Sequence, residues 1–437
     1  MPEQETIPAA EMERRLRDRP APDLPDHFVL PDYGGLSIAN IAPTIVRLFG
    51  LEPDGTSPPL PQYIWSDLTE RVECVVLLLL DAVGYLQFKE HIADQTTLFS
   101  RLARRGRLFP LTSVFPSTTV SALSSIRTGR SPLGHGFLGT NLLLSRQGVL
   151  ANMLKLAPAA HTVAGSLESW GWDPDGFITA PSLAEKLAAA SIETVVHTRL
   201  HFVASTLTRI LLKGVDDLRG YLHLSDLWIN LHRTLTERAP GQPLFVDVYW
   251  SGIDDTAHVY GTDNEYVDSA LLHFSRSLEQ DFISTLAEDT RRSTVLIVTA
   301  DHGQIATPSD QVVHLPEHPH LRDNLLLPPA GESRAAYLYV RPGRERDLRA
   351  YVAEHLEQQF ALLETDRALE AGLWGHRDEL TVRGRARLGD MILLAKHKAR
   401  LSSRPRKNGG HTLRGHHGSL TPEEMLVPLL IARLDQL

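Results

Sequence analysis

Apolar runs of strand length recur along the chain, separated by longer stretches whose apolar residues fall at helical spacing. The clearest runs are Val75–Leu80, Leu244–Tyr249, Val295–Thr299 and Met391–Leu394, with less regular ones at Thr194–His197 and Ala336–Val340. A run that is apolar at every position, rather than at alternate ones, marks a strand buried on both faces. Segments such as SLAEKLAAA (182–190) and DLRAYVAEHLEQQFALLE (347–364) repeat their apolar residues every three or four positions, as amphipathic helices do. Strands and helices alternating in this way predict an α/β fold with a mostly parallel sheet covered on both faces. Reactive residues in such sheets gather in loops beyond the carboxyl ends of the strands.

The ends and interruptions of this pattern suggest an organisation. Residues 1–30 are charged and Pro-rich and are expected to form a flexible or loosely docked tail. LLPPAGE (326–332) and the basic, Gly-containing RPRKNGGHTLRG (404–415) read as boundaries. Between them, residues 330–402 are expected to form a small inserted domain roofing the site, which leaves 31–329 and 403–437 as the core. LTPEEMLVPLLIARL (420–434) is apolar enough to return to that core.

Composition narrows the class. A chain of 437 residues, 42% hydrophobic and 22% charged, is an ordinary globular protein with room for a large core. Its formal net charge of -9 lacks the basic face of a nucleic-acid polymer binder. A single Cys excludes an internal disulfide framework and a multi-thiolate metal cage. No apolar run approaches the roughly 20 residues of a spanning helix, and the first 26 residues lack the apolar stretch of a secretory signal. No membrane association and a cytoplasmic location are therefore expected.

Four places then stand out as chemistry. Asp81 follows the run CVVLLLL directly, in LLLLDAVG. DVYWSGIDDTAHVYG (247–261) sets Asp254 and His258 four residues apart after a strand, on one face of a helical turn. Asp301 and His302 end a third strand in VLIVTADHGQ, and GHHGS (415–419) offers His416 or His417 in a Gly-flanked loop. Carboxylates converging at one sheet edge would repel one another unless cations neutralised them. Oxygen and imidazole donors without thiolates suit Zn²⁺, or Mn²⁺ and similar ions. A nucleophile would come from VFPSTTVSALSSIRTG (114–129), where Ser117, Thr118 or Thr119 caps a helix whose amino end favours an anion.

LLLLDAVG, FPSTTVSALSSIRTG, GIDDTAHVYG, TADHGQ and GHHGS, in that order over most of the chain, resemble the alkaline phosphatase superfamily, closest to its type I phosphodiesterase/nucleotide pyrophosphatase branch. The resemblance implies an alkaline-phosphatase-like three-layer sandwich and a two-metal phosphohydrolase, usually with zinc. It implies one metal on Asp81, Asp301, His302 and the nucleophile oxygen, and the other on Asp254, His258 and His417. It makes Thr119 the nucleophile, passing through a covalent phospho-threonine, and His417 rather than His416 the ligand. The chain departs from the family at Ser121, Ala122 and Leu123, where diesterases place Pro-Asn-His. It departs again where they place an Asn for a phosphoryl oxygen: Thr140 stands at that step and Asn141, one later, is the expected substrate contact. The implied substrate is a small phosphorylated molecule, with phosphodiester or pyrophosphate bonds favoured. Alternatives are a phosphomonoesterase or phosphomutase of the same superfamily, and a non-catalytic binding protein stabilised by metal. His135, His314, His318 and His320 are expected to be structural or surface residues.

Overall fold

A computed structural model describes residues 7–19, 23–54, 57–93, 96–160, 163–239, 241–406 and 413–437. With strands numbered in chain order, seven of them form a central sheet in the order β2 (Leu108–Thr112), β18 (Leu426–Arg433), β9 (Thr294–Thr299), β1 (Cys74–Leu80), β8 (Leu244–Trp250), β6 (Glu193–Arg199) and β7 (Asp217–Tyr221). β9, β1, β8, β6 and β7 run parallel, and β18 is antiparallel to both its neighbours. Every residue of β1, β8 and β9 is buried, which is why their sequences are apolar without alternation. The expected α/β class with a mostly parallel sheet is the fold observed. Register sets where these strands end. Leu80 lies opposite Trp250 and Leu79 opposite Thr299, so the three strands finish level and their next residues emerge at one edge.

A second seven-stranded sheet is antiparallel throughout, in the order β14 (Phe360–Glu364), β15 (Met391–Ala395), β13 (Ala335–Leu338), β12 (Ala330–Gly331), β3 (Asn141–Leu144), β4 (Val149–Asn152) and β5 (Ala157–Pro158). Two short pairs complete the strands: β10 (Ile305–Ala306) with β17 (Gly415–His416), and β11 (Val312–His314) with β16 (Arg400–Ser402).

The segment 330–402 does not close on itself, as the boundary signals suggest it would. Its sheet continues through the pairing of Gly331 with Asn141 into strands drawn from residues 141–158. The helical pattern at 347–364 covers two elements, a helix at Glu345–His355 and then β14. Pairing of Phe360–Glu364 with β15 satisfies those backbone groups better than continued helix would. The amino-terminal stretch also differs from a loose tail. Its helix Ala9–Arg17 buries Met12 and Leu16, one turn apart, and Leu24, Phe28, Val29 and Leu30 are buried after it. Residues 1–6 and 20–22 of that stretch, and 407–412 of the basic boundary, lie outside the described residues. LTPEEMLVPLLIARL does return to the core, as β18 between β9 and β2. Among the described residues no helix is long and apolar enough to cross a membrane.

Candidate active site

Strand ends and the turns behind them bring the chemistry together. Asp81 follows β1, and its backbone N–H donates to the Trp250 carbonyl of β8, prolonging the sheet ladder by one bond. Asp301 and His302 follow β9 by one residue. Their turn presses against the chain before β18: Gly303 N–H donates to Glu424 O at 2.8 Å. A Cβ at Gly303 would lie 2.0 Å from the Glu423 carbonyl oxygen, so only glycine fits there. Asp254 and His258 sit on the helix Gly252–Tyr260 that follows β8.

The first cluster is Asp81, Asp301 and His302, all buried, each offering one donor atom within 4.8 Å of the others. His302 Nε2 is 3.5 Å from Asp81 Oδ1 and 3.5 Å from Asp301 Oδ2. Both of those carboxylate oxygens are buried and lack a hydrogen-bond partner. The opposite oxygens are occupied: Tyr249 O–H donates to Asp81 Oδ2, and the N–H groups of Ala82 and His302 donate to Asp301 Oδ1 at 3.1 and 2.9 Å. Burial, then repulsion from Asp301 and Asp254, pushes Asp81 well above the usual carboxylate range. A cation here would relieve both the orphaned oxygens and that repulsion.

The second cluster is Asp254, His258 and His417. His258 Nε2 is 3.2 Å and His417 Nε2 3.9 Å from Asp254 Oδ1. Gln304 Nε2 also donates to Asp254 Oδ1, at 2.9 Å. The two clusters adjoin, since the His302 and His417 rings stack with centroids 3.9 Å apart.

All three histidines are held alike. Nδ1 of His258 meets Gly415 O at 2.8 Å, Nδ1 of His302 meets Gly303 O at 2.9 Å, and Nδ1 of His417 meets Ser117 O at 2.9 Å. A carbonyl only accepts, so each Nδ1 carries a proton and each Nε2 is the ring nitrogen left facing the carboxylates. Tying down the far ring nitrogen in this way is how proteins orient imidazole ligands toward a metal. Burial, and the neighbouring His302 and His258, hold His417 well below the usual histidine range and therefore neutral. In His258 burial acts the same way, but the bond and charge of Asp254 outweigh it and raise the group.

Thr118 is the non-helical cap of the helix Thr119–Thr128, so Thr119 opens that helix with the amide-rich end beside it. Thr119 Oγ1 lies 3.2 Å from His302 Nε2. Ser117 and Thr118 are fully buried, whereas Thr119 is partly open to solvent. The loop is stitched to the rest of the site: Ser113 Oγ donates to Asp301 O at 2.6 Å, and Gly418 N–H donates to Ser117 Oγ at 3.2 Å.

Seven of the eight residues singled out in the sequence thus meet: Asp81, Asp301, His302 and Thr119 on one side, and Asp254, His258 and His417 on the other. Asn141 belongs to neither cluster; its amide donates to Gly331 O at 3.3 Å, its Oδ1 accepts from Asn152 at 3.5 Å, and it lines a neighbouring cleft with Glu332. The side chain at the Ser117–Thr119 loop is Thr140, whose Oγ1 is 3.2 Å from Thr118 Oγ1 and whose N–H donates to Glu332 Oε1 at 2.5 Å. Tyr249, Gln304 and Glu332 were missed. Gln304 lies within TADHGQ, but nothing in sequence placed Tyr249 or Glu332 here. His416, on β17, belongs to neither cluster, and burial with the charges of Arg400, His258 and Arg334 lowers it to about 2. His135 is buried against Ser125 Oγ at 2.9 Å, a structural role as expected.

The model of the family "Type I phosphodiesterase / nucleotide pyrophosphatase" matches residues 75–420. Among solved structures, murine ectonucleotide pyrophosphatase / phosphodiesterase 5 is similar in fold, with a TM-score of 0.62, 16% identity, and 81% of this chain and 87% of that one covered. The same murine protein, inactive through a threonine-to-alanine replacement and in complex with AMP, gives a TM-score of 0.60 at 15% identity, covering 81% and 87%. Phosphonoacetate hydrolase from Sinorhizobium meliloti 1021, in complex with phosphonoformate, gives 0.59 at 20% identity, covering 83% and 90%. No curated protein matches the chain in sequence.

Proposed function

The chain belongs to the type I phosphodiesterase / nucleotide pyrophosphatase family, hydrolases of phosphate esters, and from that premise we propose that it cleaves a small phosphodiester or pyrophosphate with Thr119 as nucleophile. The observation that carries this is the convergence of three imidazole Nε2 atoms and two unpartnered carboxylate oxygens around a reachable Thr119 hydroxyl. Two divalent cations, zinc or manganese, fit those donors; they would lower the hydroxyl's pKa and offset charge on the phosphoryl oxygens. Asp81, Asp301, His302 and the Thr119 oxygen would hold one, and Asp254, His258 and His417 the other.

Thr119 Oγ1 attacks phosphorus in line after its proton passes to solvent, from which the departing oxygen takes one up. The new O–P bond forms as the bond to the leaving oxygen breaks and takes its electron pair with it. Water then attacks the phospho-threonine from the vacated side, and the Thr119 hydroxyl is restored. The amides opening the helix Thr119–Thr128 favour the anionic substrate throughout. The murine neighbour's inactive threonine-to-alanine form with AMP supports a threonine at the centre of the reaction and a nucleotide-sized ligand.

Hydrolysis of bis-p-nitrophenyl phosphate and p-nitrophenyl phosphate, before and after chelation, tests the reading. Thr119→Ala is expected to lower turnover at least ~10³-fold with near-normal metal content, and Thr118→Ala to remain active. No turnover of either ester by the zinc- or manganese-loaded protein would leave a metal-stabilised binding protein as the better account.

A further inference from the structure

Beside the two clusters lies a cleft of about 590 Å³. His314, Glu332, Arg400, Ser402, Arg404 and His416 are among its lining residues. It adjoins the site on two sides. The His416 ring centroid is 6.2 Å from that of His258, and Glu332 accepts the Thr140 N–H behind the nucleophile loop.

The charge of the cleft is opposite to that of the molecule. The chain carries a formal -9, yet the guanidiniums of Arg400 and Arg404 line this space against one carboxyl, that of Glu332, which already accepts from Thr140. Arg400 is the informative residue. It is half-buried, its Nε is fully enclosed with no hydrogen-bond partner, and among the described residues no carboxylate pairs with it. A half-buried guanidinium with no counterion is costly to fold around. Strand register aims it. Arg400 and Ser402 are two apart on β16, and Ser402 lies opposite His314 on β11, so all three share one face of that pair. A planar guanidinium fork that no carboxylate pairs with is the group that takes phosphate or carboxylate oxygens in pairs.

We infer that this cleft is a subsite for a second anionic group, a phosphate or a carboxylate, carried on the substrate whose phosphoryl group reacts at Thr119, with Arg400 as its counterion. The inference rests on the phosphohydrolase reading for what happens at Thr119, but binding in the cleft is separable from turnover.

The experiment uses the full chain in two states. Metal-free protein is titrated calorimetrically with inorganic pyrophosphate and, separately, with malonate, so that the anion that binds names the group. Arg400→Gln is expected to weaken the preferred anion at least ~10-fold, exposed Arg404→Gln to weaken it less, and Thr119→Ala to leave it unchanged. With metal restored, Arg400→Gln should raise KM for phenyl diphosphate or 4-carboxyphenyl phosphate while leaving kcat/KM for bis-p-nitrophenyl phosphate near the parent value. Neither anion binding the parent protein, or equal binding by the parent and both arginine variants, would overturn the subsite. Binding that depends on Arg400 without turnover of any ester would uphold the subsite and sink the hydrolase mechanism instead.

Discussion

Two side chains outside the proposed ligand set show how single residues tune this site. Tyr249 reaches from β8 to Asp81 Oδ2 and so decides which oxygen of that carboxylate remains free. Tyr249→Phe keeps the ring and removes only that donor. Zinc affinity is expected to fall about 10–100-fold, read by competition with a chromophoric chelator, with little change in far-UV circular dichroism. Glu332 offers a pH signature. Burial, partly offset by the bonds from Thr140 and Thr118, lifts its carboxyl from 4.5 to about 7. The folded state then keeps a proton between those values that the unfolded chain has released, so stability from this group is complete below 4.5 and is lost as pH rises to 7. Glu332→Gln cannot titrate. At about 1.4 kcal/mol per pH unit, the metal-free parent should lose about 3 kcal/mol relative to the variant across that window, measured by urea unfolding at several pH values. A pH-independent difference would mean that Glu332 is not protonated in the fold.

At the scale of elements, what was legible followed from how completely an element's environment acts on it. β1, β8 and β9 are buried at every position, so their sequences carry unbroken apolar runs and their ends could be found to within a residue or so. β3, β4, β5 and β12 are short, and β3 and β4 are only partly covered. So few constrained positions leave no period to detect, and the second sheet's extent was therefore hidden. The helix-to-strand change after His355 was hidden for another reason: a helical period can run on through residues that a neighbouring strand recruits. The Asp-His-Gly turn was legible as chemistry, but its glycine is explained only by the crossing of two turns. A Cβ at position 303 would meet Gly84 Cα at 2.9 Å as well as the Glu423 carbonyl oxygen. Gly303→Ala must therefore push those turns apart. A cost of about 1–3 kcal/mol and a loss of bound metal are expected, checked by thermal unfolding and elemental analysis. An alanine variant with unchanged melting and metal content would show that the crossing can relax.

Across the whole molecule, the site is assembled from five separated stretches, and the last of its candidate ligands, His417, arrives on a loop that depends on the second sheet. Arg334, between β12 and β13, is wholly buried and meets Glu424, just ahead of β18, through Nε to Oε1 at 2.7 Å and Nη2 to Oε2 at 2.8 Å. Arg334 also donates to the carbonyls of Ala399 and His397. Glu424 accepts from Ser419 N–H at 3.0 Å and Thr421 Oγ1 at 2.7 Å, which holds the chain directly after His417. One bidentate pair thus couples the second sheet, the central sheet and the ligand loop. Such a pair need not outperform an apolar contact of the same shape, but losing one partner leaves a buried, uncompensated charge. Arg334→Leu should accordingly destabilise the protein by about 3–5 kcal/mol, whereas Arg334→Leu combined with Glu424→Leu should recover part of that loss. Because the loop after His417 would loosen in both, zinc affinity should stay low in the double variant even where stability returns. Urea unfolding and zinc titration of the two variants separate these effects. A single variant costing less than about 1 kcal/mol, or a double variant that regains stability and metal binding together, would mean that the ligand loop is positioned without this pair.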